Sequence, residues 1–254
     1  MNIQQIKDDR DRLQHSLNLL IAQIGPIQIG SVKQFPFGWR KAAKGRTVWR
    51  IIEEAITQNI EKHYRELSID NVHISDSEVS VYDMSCTYAH NKPIYINIKS
   101  AVIGGKKNKD DISKAEGLVN FYKQDPDRNF FVATFFIKFN ANMTIEIVRA
   151  VVFPIAWIKD IYVNPSNNGN LQSAYYKDLN DAIYRTNEEF LPLFYQAVEL
   201  AAAKKKEKTG TVERKSVKFR IKRRKSVKAK KRKRRQKQYS KSHSNMRHQK
   251  KCPI

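Results

Sequence analysis

The chain has 254 residues, with 48 Lys and Arg against 25 Asp and Glu, a formal net charge of +23 and a pI near 10.0. The charge is not spread evenly: residues 204–254 hold 24 of the 48 basic side chains beside only Glu207 and Glu213, whereas residues 1–203 hold 24 basic and 23 acidic ones. This excludes a uniformly basic fold and predicts a near-neutral domain over 1–203 followed by a polybasic tail over 204–254 too poor in apolar residues to pack a core.

No apolar run approaches the ~18–20 residues of a membrane span. The N-terminus, with Lys7, Asp8, Asp9, Arg10, Asp11 and Arg12, has no signal-peptide pattern. Cys86 and Cys252 stand far apart without a C-x-x-C spacing, which argues against a zinc framework or a disulfide scaffold. The expectation is a soluble intracellular protein without a membrane partner, cytoplasmic, or nuclear in a eukaryotic setting.

In chain order, Ile3, Ile6, Leu13, Leu17, Leu20, Ile21 and Ile24 recur at helical spacing up to Gly25-Pro26, for core packing or for dimerisation. A Gly-, Pro- and aromatic-rich stretch over 25–44 reads as an ordered loop. A second helix is expected from Gly45 to Glu66, with Glu53 at the edge of its apolar stripe and Glu54 farther round. Residues 68–77 read as a turn-rich connection. Val79, Val81 and Tyr82 favour a strand, the stretch Ala89 to Pro93 a turn, and IYINIKSA a second strand. Alternation in that strand sets Ile94, Ile96 and Ile98 on one face and Asn97 and Lys99 on the other. A Gly- and Lys-rich loop (104–109) leads to a helix beginning near Asp110 or Asp111. Apolar strands are expected over 130–139 and 144–153, an amide-rich loop over 163–173, and helices over 175–183 and 188–203. The fold class is therefore α/β, a central mixed sheet flanked by helices.

Asp83 on one strand, followed by Asn97-Ile98-Lys99 on the next, is a spacing suited to phosphodiester hydrolysis. Carboxylates at fixed positions hold divalent cations, and a neighbouring lysine stabilises developing charge. Taken with the helix carrying Glu53 before them and KAEGLVNFYKQDPDRNFFVATFFI after them, these residues resemble the core of the PD-(D/E)XK nucleases over about residues 40–160. The size and layout are most similar to those of type II restriction endonucleases. The resemblance implies that Asp83 is the first-strand metal ligand, Lys99 the catalytic lysine and Asn97 the occupant of the second acidic position. Glu53 corresponds to the helix acid, with Glu54 the second choice. Two positions depart from the pattern: Tyr82 where Pro is frequent, and Asn97, whose amide oxygen can ligate a hard cation but brings no charge. The missing charge would come from Glu53 or, less favourably, from Glu116.

The implied activity is Mg²⁺-dependent, sequence-specific cleavage of double-stranded DNA by a homodimer, with a cognate DNA methyltransferase acting on the same site. The alternatives are a structure-specific repair or recombination nuclease and a catalytically inactive basic DNA-binding protein. Phosphate contacts are expected from Arg40, Lys41, Lys44, Arg46 and the loop 104–109. The amides Asn164, Asn167, Asn168, Asn170 and Gln172 are candidates for reading adenine. The run Lys230 to Arg235 resembles a nuclear-localisation signal and suits nonspecific polyanion binding.

Overall fold

The computed structural model describes residues 2–77, 80–88, 92–166 and 169–207. The chain divides into two units, 1–202 and 203–254. The tail beyond residue 207, with Lys230 to Arg235, lies outside the described residues, as do Val79, the turn residues Ala89 to Asn91, and Asn167 and Asn168.

Helix α1 (Ile3–Ile24) starts at Asn2, whose side chain accepts from Gln5 N while the Gln5 side chain accepts from Asn2 N, a reciprocal cap. Its buried face comprises Ile6, Asp9, Leu13, Ser16, Leu17 and Leu20, so this helix packs into the core. Helix α2 (Gly45–His63) buries Val48, Ile52, Ile56, Thr57 and Ile60. The other face of its first turns exposes Trp49 and Ile51.

One sheet has six strands, β1 (Ile27–Gln28), β2 (Asn71–Ile74), β3 (Met84–Thr87), β4 (Ile94–Val102), β6 (Asn129–Phe139) and β7 (Thr144–Pro154). Their order is β1-β7-β6-β4-β3-β2. Strands β2, β3 and β4 form an antiparallel meander, and α3 (Ala115–Gln124) is the crossover that makes β6 parallel to β4. The apolar run of β6 buries Phe130, Phe131, Val132, Ala133, Phe135 and Ile137, as expected of an interior strand covered on both faces. Along β7, Gln14 of α1 takes the place of a neighbouring strand: its amide donates to Ala150 O at 2.9 Å, and its oxygen accepts from Val152 N at 2.8 Å. A smaller sheet joins β5 (Asp110–Lys114), β9 (Asn170–Ser173) and β8 (Tyr162–Val163), in that order. The last helix, α4, covers residues 187–207. Among the described residues no helix is long and apolar enough to cross a membrane.

Five local expectations are corrected. Residues 71–74 form a strand because β3 pairs with them over four residues. The extended character expected around Val81 and Tyr82 belongs instead to Met84–Thr87. Asp110 and Asp111 do not start a helix; they pair with Ser173 and Gln172 of β9, and α3 begins at Ala115, whose N–H is taken by Gly169 O. Residues 175–183 contain only a 3₁₀ turn at Leu179–Asp181, because Tyr176 is buried, Lys177 pairs with Asp110 and Ile183 N bonds Trp157 O. The amide-rich stretch, expected as a loop, contributes both β8 and β9.

Beneath α1, Asp9 accepts a 2.9 Å hydrogen bond from Asn129 Nδ2 at the start of β6. Burial pushes its carboxyl above the ordinary value, against the opposing effects of Arg12 and the Asn129 amide. A folded-state value above the unfolded one means that the folded chain holds the proton more tightly. The associated stability is present below the unfolded value and is lost as pH rises through the folded one. Asp9→Asn is therefore expected to melt at a higher temperature than the wild type at neutral pH. The difference should close below pH ~3, where Asp9 itself is protonated in both states. A variant less stable than wild type at both pH values would contradict this assignment.

Candidate active site

Strands β3 and β4 pair only from Cys86↔Ile94 to Met84↔Ile96, although β4 continues to Val102. On its other side β6 follows β4 through all of Ile94–Val102. The β4 edge toward β3 therefore opens at Asn97, and Asp83 closes its first step. The Asp83 main-chain N–H bonds Ile96 O at 2.9 Å, and its Oδ2 accepts the Ile98 N–H at 2.5 Å. The carboxylate is thus tied to the backbone between Asn97 and Lys99.

The segment before Asp83 is held from three sides. Asn97 Nδ2 donates to Val81 O at 3.1 Å, and Ser113 Oγ of β5 donates to the same oxygen at 3.4 Å. Gly117 of α3 presses on Val81, since a Cβ there would stand 2.4 Å from Val81 Cγ1. Tyr82, where the nuclease pattern often has Pro, packs edge-on against Tyr95 with centroids 5.0 Å apart, and Tyr95 packs in turn on Phe121 of α3. Tyr95, Asn97 and Lys99 therefore lie on the α3 side of β4 by alternation, with Ile94, Ile96 and Ile98 buried on the other.

Helix α2 brings Glu53 to this end of β4. Its first residue, Gly45, is close enough to β4 that a Cβ would stand 3.6 Å from Ser100 O. Glu53 is half-buried and pairs with Arg50 at 3.3 Å, whereas Glu54 is exposed and accepts from Gln58 Nε2 at 2.6 Å. Glu116, in the first turn of α3, is also exposed.

The electrostatics link three of the sequence-derived residues. Burial raises the Glu53 carboxyl, the Asp83 charge raises it further, and Arg50 and Lys99 oppose the change. Asp83 is also raised by burial, against its bond from Ile98 N and the charges of Lys99 and Arg50. Burial lowers Lys99, while Asp83, Glu53, Asp111 and Asp110 act in that order to keep its proton. Glu53, Asp83 and Lys99 thus share one electrostatic environment at the open end of β4.

Asn97 is buried and differs from its neighbours. The Val81 carbonyl can only accept, which fixes the amide with Nδ2 toward it. Oδ1 is then left buried without a hydrogen-bond partner. Such an orphan oxygen has a cost unless something polar reaches it.

Arg50, Asp110 and Asp111 belong to this environment without having been singled out in the sequence. Arg50 carries a pattern signal, three residues before Glu53 on the same helix; Asp110 and Asp111 carry none, because β9 positions them. Of the described amides, Asn164 and Gln172 are engaged internally. Asn164 Nδ2 donates to Gln172 Oε1 at 3.3 Å, and Gln172 Nε2 donates to Asp111 Oδ1 at 2.6 Å. In the loop 104–109, Lys107 pairs with Asp181 and Lys109 with Asp160. Among the described residues no three His, Cys, Asp or Glu side chains gather in a metal-holding group. No protein-family model matches this chain, and no curated protein matches it.

The amide of Asn97 performs a task that a carboxylate at this position could not, because it donates to Val81 O. Asn97→Asp is expected to lose that bond and set two acceptors against each other, destabilising the fold by about 1–3 kcal/mol in urea denaturation. Unchanged stability would show that the Val81 contact contributes little.

Proposed function

We propose that this chain is a Mg²⁺-dependent endonuclease that cleaves double-stranded DNA at specific sequences, similar in class to type II restriction enzymes. The observation that carries the reading is the convergence of Glu53, Asp83 and Lys99, from α2, the approach to β3, and β4, on the place where the β3–β4 ladder opens. Three separate elements supply two carboxylates and one ammonium group there, two of them tied to adjacent β4 backbone.

The donor set fits a hard cation. Asp83, Glu53 and Asn97 Oδ1 are oxygen ligands, and the orphaned state of Oδ1 is what a ligand atom awaiting its cation would show. A bound Mg²⁺ would supply an activated water and neutralise charge on the phosphate. Asp83, with Oδ2 engaged by Ile98 N–H, is oriented before any ligand arrives. Lys99 is positioned by the carboxylates around it to stabilise an anionic phosphorane-like charge distribution. Arg50 pairs with Glu53 and offsets part of its charge. With two carboxylates and an amide, the site carries less negative charge than a three-acid site, and a weak metal affinity follows.

In this reading a two-fold homodimer places one site on each strand, and a methyltransferase of the same specificity protects the host DNA. The polybasic tail adds sequence-independent affinity that falls as salt rises.

Plasmid digestion with Mg²⁺ tests the proposal, and discrete fragments are the expected product. Asp83→Ala, Lys99→Ala and Glu53→Gln should each lower the cleavage rate by about 10²-fold or more, with DNA retention in gels kept. Glu54→Gln should cut like the wild type. Full activity in Asp83→Ala or Lys99→Ala would remove the site assignment, and intact plasmid under all metal conditions would remove the activity.

A further inference from the structure

We infer that the segment from Ser31 to Ile51 is a binding surface for unpaired bases of a nucleic acid, with Phe37 and Trp49 as the stacking rings. This inference rests on the preceding reading only for its choice of polymer. Between Ser31 and Ile51 the chain has Lys33, Arg40, Lys41, Lys44, Arg46 and Arg50 and no acid at all. The rest of residues 1–203 is left with 18 basic side chains against 23 acidic ones, so the positive charge of the body is concentrated here. A polyanion is the complementary partner.

The rings specify which kind. Phe37 is 71 % exposed and Trp49 43 % exposed. Each lies beside a guanidinium, Arg40 at 4.1 Å from the Phe37 centroid and Arg50 at 4.2 Å from that of Trp49. Paired aromatic and cationic groups of this kind hold bases by stacking while the cations meet the phosphates. Bases inside a duplex already stack on one another and offer no free face; flipped, terminal or single-stranded bases do.

The surface is built rather than loose. Trp39 Nε1 donates to Asn140 O at 2.7 Å and its ring meets Phe139 edge-on, fixing the segment to the β6–β7 turn. Phe35 lies over Gly30, and Ile29 N bonds Met143 O. Arg40 has φ +42°, a conformation that costs a non-glycine residue energy and that persists where surrounding structure enforces it. The surface also leads to the candidate site, since Arg50 pairs with Glu53 and its charge acts on Asp83. A second copy of the chain is a poorer occupant: a two-fold interface would set the same six cations against one another.

The test uses the full chain in EDTA, so that it reads binding alone, at about 0.3 M salt, where the tail's electrostatic affinity is reduced. Fluorescent single-stranded oligothymidylate and a duplex of equal length are titrated with wild type, Phe37→Ala, Trp49→Ala and Trp49→Phe. Phe37→Ala and Trp49→Ala should each weaken single-strand binding about tenfold and change duplex binding by no more than about twofold. Trp49→Phe should keep most of the affinity. Equal losses on both DNAs, or no loss on either, would overturn the inference. So would a wild-type dimer in gel filtration that Phe37→Ala dissolves while DNA binding is unchanged. Cleavage without this single-strand preference would count against the base surface alone, whereas the preference without cleavage would count against the nuclease reading alone.

Discussion

The arrangement depends on a mismatch of strand lengths. Strand β4 has nine residues, Ile94–Val102, and β6 accompanies all of them in parallel, but β3 has only four and leaves β4 at Ile96. Backbone groups beyond that point need other partners, because an unpaired N–H away from water is costly. Asp83 supplies one by accepting from Ile98 N, and Asn97 reaches back to Val81 O. The same hydrogen bonds that finish the ladder therefore hold a carboxylate next to Lys99. Stability and site geometry are served by one set of contacts.

This dependence explains the residue at position 97. A carboxylate there would add charge to a cation site but would have no hydrogen for Val81 O. The amide holds the approach to Asp83 in place and leaves one oxygen buried without a partner. Tyr82 is understood in similar terms: where a proline would stiffen the backbone, its ring is fixed between Tyr95 and Phe121. Both departures from the nuclease pattern have structural roles of their own, and in the proposed site the charge at the open strand end rests on Asp83 and Glu53.

The strands differ in how they were legible. Strands β4, β6 and β7 are long and apolar or alternating, and α1 and α2 repeat their apolar residues at helical spacing, so each is visible in its own residues. Strands β2, β5, β8 and β9 have two to five residues and form only because another strand accepts them. Asp110-Asp111 looked like a helix start for that reason: two acids before Ile112 and Ala115 satisfy a local rule, and the opposing claim comes from Gln172 and Ser173. The stretch 175–183 misled in the same way, since its apolar residues are spaced for a helix but Tyr176 is buried against the body while its neighbours pair with β5 and residue 157.

A resemblance to the nuclease pattern made Asp83 and Glu53 candidates; sequence alone determined the division of charge between the body and the tail and the alternation that puts Asn97 and Lys99 on one face. These are properties of composition and of short-range periodicity, which a strand or helix expresses within its own residues. Only the tertiary structure decided that Glu53 from α2 shares its electrostatic environment with Asp83 and Lys99, that Asp111 joins them through β9, and that Asn97 donates to Val81. Charges and hydrogen bonds act through space over a few ångströms, and the residues that meet here, such as Asp83 and Ile98 or Asp111 and Gln172, lie fifteen and sixty-one positions apart in the chain.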